Sequence, residues 1–558
     1  MKADNRDPTF DAVVVGSGAT GGWAAKALSE AGLKVCLLEA GPKTTETEFS
    51  EHAHPYQYPH RFQHPTLSPL QPVQRQVYAC RESNKDWFVN DVENPYTTDK
   101  GKPFLWIRQR RLGGRSLSWG RQSYRLSDLD FKAASHDGYG TDWPISHGEL
   151  APYYDKVERY VGISGLEENL PQLPNSRFLP PMGFTCGERL MRQRIGAKMG
   201  RTVTIGRVAV ATQTHNGRAA CHYCGPCEQG CVTYSYFSSP FTTIKDAAAT
   251  GNLTLRTDAV ASHLLTDQSS GRATGVAYID RLTRQAHEVR GKVVMLCAST
   301  LESTRLLLNS APGGLANSSG VLGRYLMDHI YKSYSRGVFP ELPKGQAWSG
   351  SPRRPNGLYI PRFSNLERRE KNGFLRGYGF QGDSFPAFDY ARPGFGREFK
   401  ESVRSQAPWR VSINGFAECL ARRDNFVELD PHVVDTWGIP VLRVRMSWSD
   451  NELRLWQDSQ EQGAEMLDAA GAKNVRNEGV PSVPGFGIHE MGTARMGTDP
   501  KSSVLNSMCR SHDVDNLYVT DGSAFVSSGC QNPTLTMMAL TVRACEDVVS
   551  RGKKGELG

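Results

Sequence analysis

The stretch Asp11-Ala-Val-Val-Val-Gly16-Ser-Gly18-Ala-Thr-Gly21 constrains the fold of this chain more than any other segment. Its first part is an unbroken apolar, β-branched run, the pattern of a strand buried on both faces of a parallel sheet. It opens into a glycine-rich turn and a helix reading Gly22-Trp-Ala-Ala-Lys-Ala-Leu-Ser-Glu30, after which Lys34-Val-Cys-Leu-Leu forms a second strand ending at Glu39. Gly16, Gly18 and Gly21 permit a tight turn, close approach of backbone to a pyrophosphate, and close helix packing, with the helix N-terminus facing the anion. Glu39 lies 18 residues beyond Gly21, where a carboxylate accepts from ribose hydroxyls and disfavours a 2′-phosphate. This is a dinucleotide-binding unit, but the fingerprint alone does not separate NAD from FAD.

Other segments extend the reading. Leu112-Gly113-Gly114-Arg115-Ser116-Leu117-Ser118-Trp119-Gly120 is a second glycine-rich loop with interleaved hydroxyls, suited to wrapping backbone donors around phosphate or a flavin edge. Arg108, Arg110, Arg111 and Arg115 surround its glycine pair and read as local phosphate or carboxylate partners. Val293-Val-Met-Leu-Cys-Ala298 predicts a further buried strand leading into a helix from Ser299, a crossover back to the same sheet. Near the C-terminus, His489-Glu-Met-Gly492-Thr493 is followed by Leu517-Tyr-Val-Thr-Asp521-Gly522 and by Gln531-Asn532-Pro533-Thr534-Leu535. A strand ending at Asp521-Gly522, beside a helix that starts after Asn532-Pro533, offers a second place for backbone contact with a cofactor.

Between these ends lies Cys221-His-Tyr-Cys224-Gly-Pro-Cys227-Glu-Gln-Gly-Cys231, four of the twelve cysteines at C-x2-C-x2-C-x3-C spacing. That is the spacing of a ferredoxin-type iron–sulfur run without its trailing proline. Four ligands give a 4Fe-4S cluster; three, with Cys231 a bystander, give a 3Fe-4S cluster. Zinc in a Cys3His set with His222 is a second reading, and a disulfide or free thiols a third. Cys36 and Cys297 fall within apolar strands and read as small buried hydrophobes.

At 558 residues the chain exceeds one simple core, so two domains are expected. A net charge of +8 without a basic block argues against nucleic acid. No apolar run is long enough for a direct membrane span, and the N-terminus carries no apolar signal region. In Ile439-Pro-Val-Leu-Arg-Val-Arg-Met-Ser447, apolar and polar residues alternate, predicting an antiparallel strand with one apolar face.

The fingerprint, Leu-Gly-Gly, Ala298-Ser-Thr-Leu-Glu-Ser303, Leu322-Gly-Arg-Tyr-Leu-Met-Asp-His329 and the terminal His/Asn block appear in the order of the glucose–methanol–choline (GMC) oxidoreductases, and the chain resembles that family over nearly its whole length. The resemblance implies an α/β architecture: a Rossmann-like FAD-binding domain plus a substrate domain with a mainly antiparallel sheet. It also implies that the sheet holding the alternating strand of Ile439–Ser447 roofs a substrate cavity. The FAD-binding domain is expected over 8–50, 105–135, 205–334 and 481–554, carrying the cysteine run, and the substrate domain over 51–104, 136–204 and 335–480. By the same resemblance, Gly16, Gly18 and Gly21 meet the FAD pyrophosphate and Glu39 its adenosine ribose. Gly113, Gly114 and Ser118 wrap the cofactor, Asp521 and Gly522 bind its central phosphates or ribityl chain, and Pro533 and Thr534 lie against the pyrimidine end. The loop after Gly114 has no histidine, so FAD is expected to be non-covalent.

The family's catalytic pair maps onto His489 and Asn532. An alcohol C–H becomes a hydride donor only as its O–H proton leaves, so a base must stand beside flavin N5. Histidine suits this role near neutral pH, and the Asn532 amide orients the same hydroxyl. The expected activity is FAD-dependent oxidation of a ring hydroxyl of a pyranose sugar or glycoside, with C3 of glucosides preferred. Electrons would leave through the iron–sulfur cluster to a cytochrome-like acceptor. The cysteine run resembles that of cytochrome-linked sugar dehydrogenases, which implies a small partner subunit and co-export to the periplasm, with a cytoplasmic location as the alternative. Competing expectations are a C1 aldose dehydrogenase, an O2-reducing oxidase with a structural zinc, and a non-redox flavin lyase or scaffold.

Overall fold

The computed structural model describes residues 9–54, 57, 67–344, 354–367, 373–388 and 393–557. The remaining parts of the expected segments 51–104 and 335–480, Pro55 and Tyr56 among them, lie outside the described residues.

The fingerprint strand forms as read, at Phe10–Val15, followed by a helix at Ala19–Glu30 and a strand at Val35–Leu38. The helix starts three residues earlier than its sequence suggested, with Gly18 at its N-cap. These strands lie inside a seven-stranded sheet. Its order is Leu253–Arg256, Val35–Leu38, Phe10–Val15, Ala286–Leu296, Ala273–Asp280 and Ala259–Thr266, with Leu517–Val519 also on Ala286–Leu296. The 11-residue strand Ala286–Leu296 has two kinds of neighbour. Its first half pairs antiparallel with Ala273–Asp280; its second half pairs parallel with Phe10–Val15 on one side and Leu517–Val519 on the other. Val13, Val14, Val294, Met295 and Leu296 are fully buried, as a strand covered on both faces requires. Cys36 and Cys297 are buried in this core.

A second, six-stranded antiparallel sheet has the order Lys473–Glu478, Ile330–Phe339, Trp409–Ala417, Tyr378–Pro386, Leu358–Ile360 and Thr204–Ile205. Helix Asp450–Ala469 and this sheet share a core of Ile330, Phe380, Val411, Ile413, Leu455 and Met466. The other face of the sheet is polar and aromatic, because side chains alternate along each strand. Arg410, Ser412, Asn414 and Phe416 therefore share one face of their strand and line a cavity, while Val411 and Ile413 enter the core.

The alternating strand exists at Pro440–Arg445, but it belongs to a separate three-stranded sheet with Phe426–Val434 and Thr97–Thr98. None of its residues lines the cavity. Its buried positions, Val441, Leu442 and Val444, do not follow strict alternation, since two neighbours are both covered. The six-stranded sheet provides the wall instead.

Candidate active site

A cavity of about 1470 Å³ runs from the fingerprint turn to the polar face of the six-stranded sheet. It exceeds the ordinary span of ~300–1,000 Å³ for a single small ligand and suits a dinucleotide together with a substrate.

The fingerprint end is built by glycines with different duties. Gly16 stands at φ +96°, and a Cβ there would meet the Cys297 carbonyl oxygen at 2.5 Å. A Cβ on Gly21 would fall 1.7 Å from the Gly16 oxygen, so Gly21 packs helix against turn and does not itself line the cavity. A Cβ on Gly18 would touch nothing within 4 Å; that side is open to the cavity. No side chain caps the helix at Gly18, leaving the first N–H groups for an anion. Glu39 lines the same end, accepting from the Gly41 N–H at 2.8 Å and from the Ser17 hydroxyl. Burial pushes its carboxyl up to about 7 against those hydrogen bonds.

Gly113, at φ +102°, donates its N–H to Ser17 Oγ at 2.8 Å and joins the second glycine loop to the first. Gly113 stays behind the surface, while Gly114, Arg115, Ser116 and Ser118 reach it. Ser118 accepts from Gln109 Nε2 at 2.7 Å. The arginines around this loop do hold carboxylates. Arg110 lies 3.1 Å, Arg108 3.8 Å and Arg305 3.4 Å from Glu302. Burial raises that acid, but Arg110, Arg305 and Arg108 outweigh it and hold the carboxyl down to about 2. Arg115 pairs with Glu490 at 2.7 Å and donates to Ser299 Oγ at 2.7 Å. Asp521 accepts from Ser523 N at 3.0 Å and from the Ser303 hydroxyl. Gly522 avoids a clash with the Glu490 oxygen and the Thr300 hydroxyl, both 2.5 Å from a would-be Cβ. Asp521, Gly522, Pro533 and Thr534 all line the cavity, and the last helix starts at Thr534 as its sequence predicted. Open Gly18, the uncapped helix and this second loop together fit a flavin dinucleotide.

His489 and Asn532, 43 residues apart, meet where the groove reaches the second sheet: Asn532 Nδ2 is 3.1 Å from His489 Nε2. The other ring nitrogen, Nδ1, stands 2.7 Å from His329 Nδ1, and His329 Nε2 is 2.7 Å from the Gly529 carbonyl oxygen. Burial, then His329 and Arg115, push the His489 pKa well below its usual value. Asp328 secures the loop beneath, accepting N–H groups of Gly485 at 2.9 Å and of Gly487 and His489 at 3.0 Å. Burial and nearby Glu490 raise the Asp328 carboxyl to about 7. Ile488 is held at φ +60°, a costly conformation for a β-branched residue that aims the next side chain, His489.

The wall opposite comes from strands that sequence reasoning did not single out. Gln381 donates from Nε2 to Asn532 Oδ1 at 2.8 Å. Phe416, at a bulge in the pairing with Ile330–Phe339, packs against Tyr331 with ring centroids 4.5 Å apart and planes tilted by 34°, and lies 6.3 Å from the His489 ring. His329, Gln381 and Phe416 escaped notice as site residues because their partners are far away in sequence.

No disulfide joins the four loop cysteines, and Cys227 lines the cavity with Gly225 and Glu228. Burial and the neighbouring thiols push Cys224 up to about 12. Zinc-bound thiolates would stand about 3.8 Å apart at Zn–S distances of ~2.3 Å. Among the described residues, the group of possible ligands whose donor atoms lie within 4.8 Å of one another is His52, His222 and Cys224. His222 thus stands with His52, at 3.0 Å, and with one cysteine, not in a Cys3His set. Among the described residues no helix is long and apolar enough to cross a membrane.

The chain matches the GMC oxidoreductase family over residues 10–331 and 421–541. It is 32% identical to 2-methyl-1,2-propanediol dehydrogenase of Mycolicibacterium austroafricanum, covering 97% of this chain and 95% of that protein. It is 27% identical to the fructose dehydrogenase large subunit of Gluconobacter japonicus, over 99% of this chain and 100% of the relative. Among solved structures, pyridoxine 4-oxidase from Mesorbium loti superimposes with a TM-score of 0.62 at 18% identity, covering 96% of this chain and 98% of that one, and shares the fold. The chain therefore belongs to the GMC oxidoreductase family, an FAD-dependent family, and is an oxidoreductase acting on CH–OH groups.

Proposed function

We propose that the protein is a dehydrogenase oxidising a ring hydroxyl of a pyranose sugar or glycoside, with C3 of a glucoside the preferred position. The observation that carries this reading is the His489–Asn532 pair, 3.1 Å apart, between the fingerprint groove and a polar, aromatic wall. FAD, held by the fingerprint turn, the second glycine loop and the segment from Asp521 to Thr534, supplies the hydride acceptor. His489, held neutral by burial, takes the hydroxyl proton at Nε2. Asn532 holds the same hydroxyl and fixes its direction. Tyr331, Phe416 and Phe486, with mutual ring distances of 4.5 and 5.8 Å about Tyr331, offer apolar faces suited to a sugar ring.

The cysteine loop belongs to the same proposal. Its soft donor set and ferredoxin-type spacing suit an iron–sulfur cluster better than a zinc cage. Cys221, Cys224 and Cys227, with Cys231 as the fourth, would hold it, and it would supply one-electron transfer to a cytochrome-like partner. The cavity position of Cys227 supports an exit route close to the flavin groove. The relative named a large subunit supports a small partner subunit.

The test is anaerobic mixing of the purified holoenzyme with methyl β-D-glucopyranoside, followed by bleaching of flavin absorbance and product analysis. A 3-keto glycoside is expected. Reduction by glucose but not by the glycoside would move the reaction to C1. Rapid reoxidation by O2 rather than cytochrome c would make the protein an oxidase.

A further inference from the structure

We infer that His329 is a positioning residue that sets the tautomer of His489, keeping the proton on Nδ1 and the lone pair on Nε2. The inference rests on His489 being the base of the reaction proposed above, and it follows from who must donate at each contact.

The chain of contacts has a fixed end. The Gly529 carbonyl oxygen, 2.7 Å from His329 Nε2, accepts and never donates. A neutral His329 must therefore carry its single ring proton on Nε2, and full burial keeps it neutral by pulling its pKa to about 4. Its Nδ1 is then an acceptor. At 2.7 Å from that nitrogen, His489 Nδ1 must be the donor. A neutral imidazole has one N–H, so His489 Nε2 is bare.

The reverse arrangement fails at both ends. With the proton on His329 Nδ1, its Nε2 lone pair would face a carbonyl oxygen in a fully buried place, two acceptors without a proton between them. Two protonated Nδ1 atoms cannot share 2.7 Å. The far side agrees: Asn532 turns its amide nitrogen to His489 Nε2 at 3.1 Å, as a donor facing a lone pair should. Gln381, donating to Asn532 Oδ1 at 2.8 Å, is consistent with that amide orientation. A backbone carbonyl thus dictates, through one buried imidazole, which nitrogen of a second imidazole meets the substrate hydroxyl. When Nε2 takes the hydroxyl proton, the Nδ1–H bond to His329 persists and holds the ring in place.

The role resembles that of any group that orients a catalytic imidazole, where the wrong tautomer costs up to ~10⁴ in rate. The test uses the holoenzyme and stopped-flow flavin reduction by methyl β-D-glucopyranoside. His329→Leu removes the acceptor; His329→Asn restores an acceptor oxygen near the place of Nδ1. The leucine variant should lose on the order of 10²-fold in the flavin reduction rate, with the glycoside concentration for half-maximal rate changed less than about threefold. The asparagine variant should recover at least about tenfold of that loss. Equal loss in both variants, or leucine retaining the rate within about twofold, would overturn the assignment.

Should His329→Leu not fold, solid-state NMR of the ¹⁵N-histidine-labelled native protein, against a His489→Gln control, reads the tautomer directly. A proton on His489 Nε2 at neutral pH ends the proposal; one on Nδ1 sustains it. If His489→Gln itself still reduces flavin, the base assignment fails whatever the tautomer.

Discussion

Gln381 donates from Nε2 to Asn532 Oδ1 at 2.8 Å and thereby decides which end of the Asn532 amide faces His489. Gln381→Ala should slow flavin reduction about tenfold, since Asn532 is then free to rotate. Gln381→Glu should be worse, on the order of 10²-fold, because a carboxylate repels Oδ1 and turns it toward the bare Nε2. Stopped-flow rates for the two variants check the order; a glutamate variant faster than alanine would refute it.

The His489 pKa is depressed, so the base is ready well into the acid range. The flavin reduction rate should stay level as pH falls through ~6.5, the ordinary histidine value. A limb centred there would show an unperturbed base. Between ~6.5 and about 4 the unfolded chain binds a proton at His329 that the native chain does not, so this contribution is present above ~6.5 and lost as pH falls toward about 4. Urea midpoints should show wild type losing about 3 kcal/mol relative to His329→Asn from pH 7 to pH 4.

Two fingerprint glycines should fail in opposite ways. Gly18→Leu places a side chain in open cavity space, so the protein should fold with an unchanged Tm as apoprotein yet retain little FAD. Gly21→Ala drives a methyl group onto the Gly16 oxygen and should lower the apoprotein stability itself, by about 1–3 kcal/mol. Calorimetry with flavin content separates the two.

Anaerobically purified protein should contain iron and acid-labile sulfide with an EPR signal on reduction or oxidation. Cys227→Ser should retain flavin reduction by substrate while losing at least about tenfold in transfer to cytochrome c. Zinc without iron would remove the relay.

The nucleotide half was legible because its determinants are contiguous. Residues 10–39 contain the strand, turn, helix, strand and acid within one βαβ passage, and each carries its own periodicity or steric demand. The terminal His489 and Asn532 were legible by resemblance; Asn532 lies just before the last helix, whereas His489 sits within the long irregular stretch between the strands Lys473–Glu478 and Leu517–Val519. The substrate wall was not legible. Tyr334, Asn414 and Gln381 lie on three different strands and become neighbours only through register. Their strands mix glycine, serine and charged residues on the cavity face, which blurs the apolar period a strand ordinarily shows. His329 was visible in its motif, but nothing local announces a partner 160 residues away. Pro440–Arg445 shows the converse: its pattern correctly gave a strand, yet pattern does not say which sheet receives it.

The strand Ala286–Leu296 carries one more consequence. Val294, Met295 and Leu296 are hydrogen-bonded into parallel neighbours on both sides, whereas the residues from Ala286 to Arg290 lean on the antiparallel ribbon. Opening that ribbon would expose the first half while leaving the second half sealed. Amide protons along one continuous strand are thus divided into two classes, the early ones exchanging with solvent through local opening and the late ones only when the whole molecule unfolds. The same strand runs on to Cys297 and Ser299 in the cavity lining, so backbone sealed by parallel neighbours on both sides leads directly into the cofactor groove.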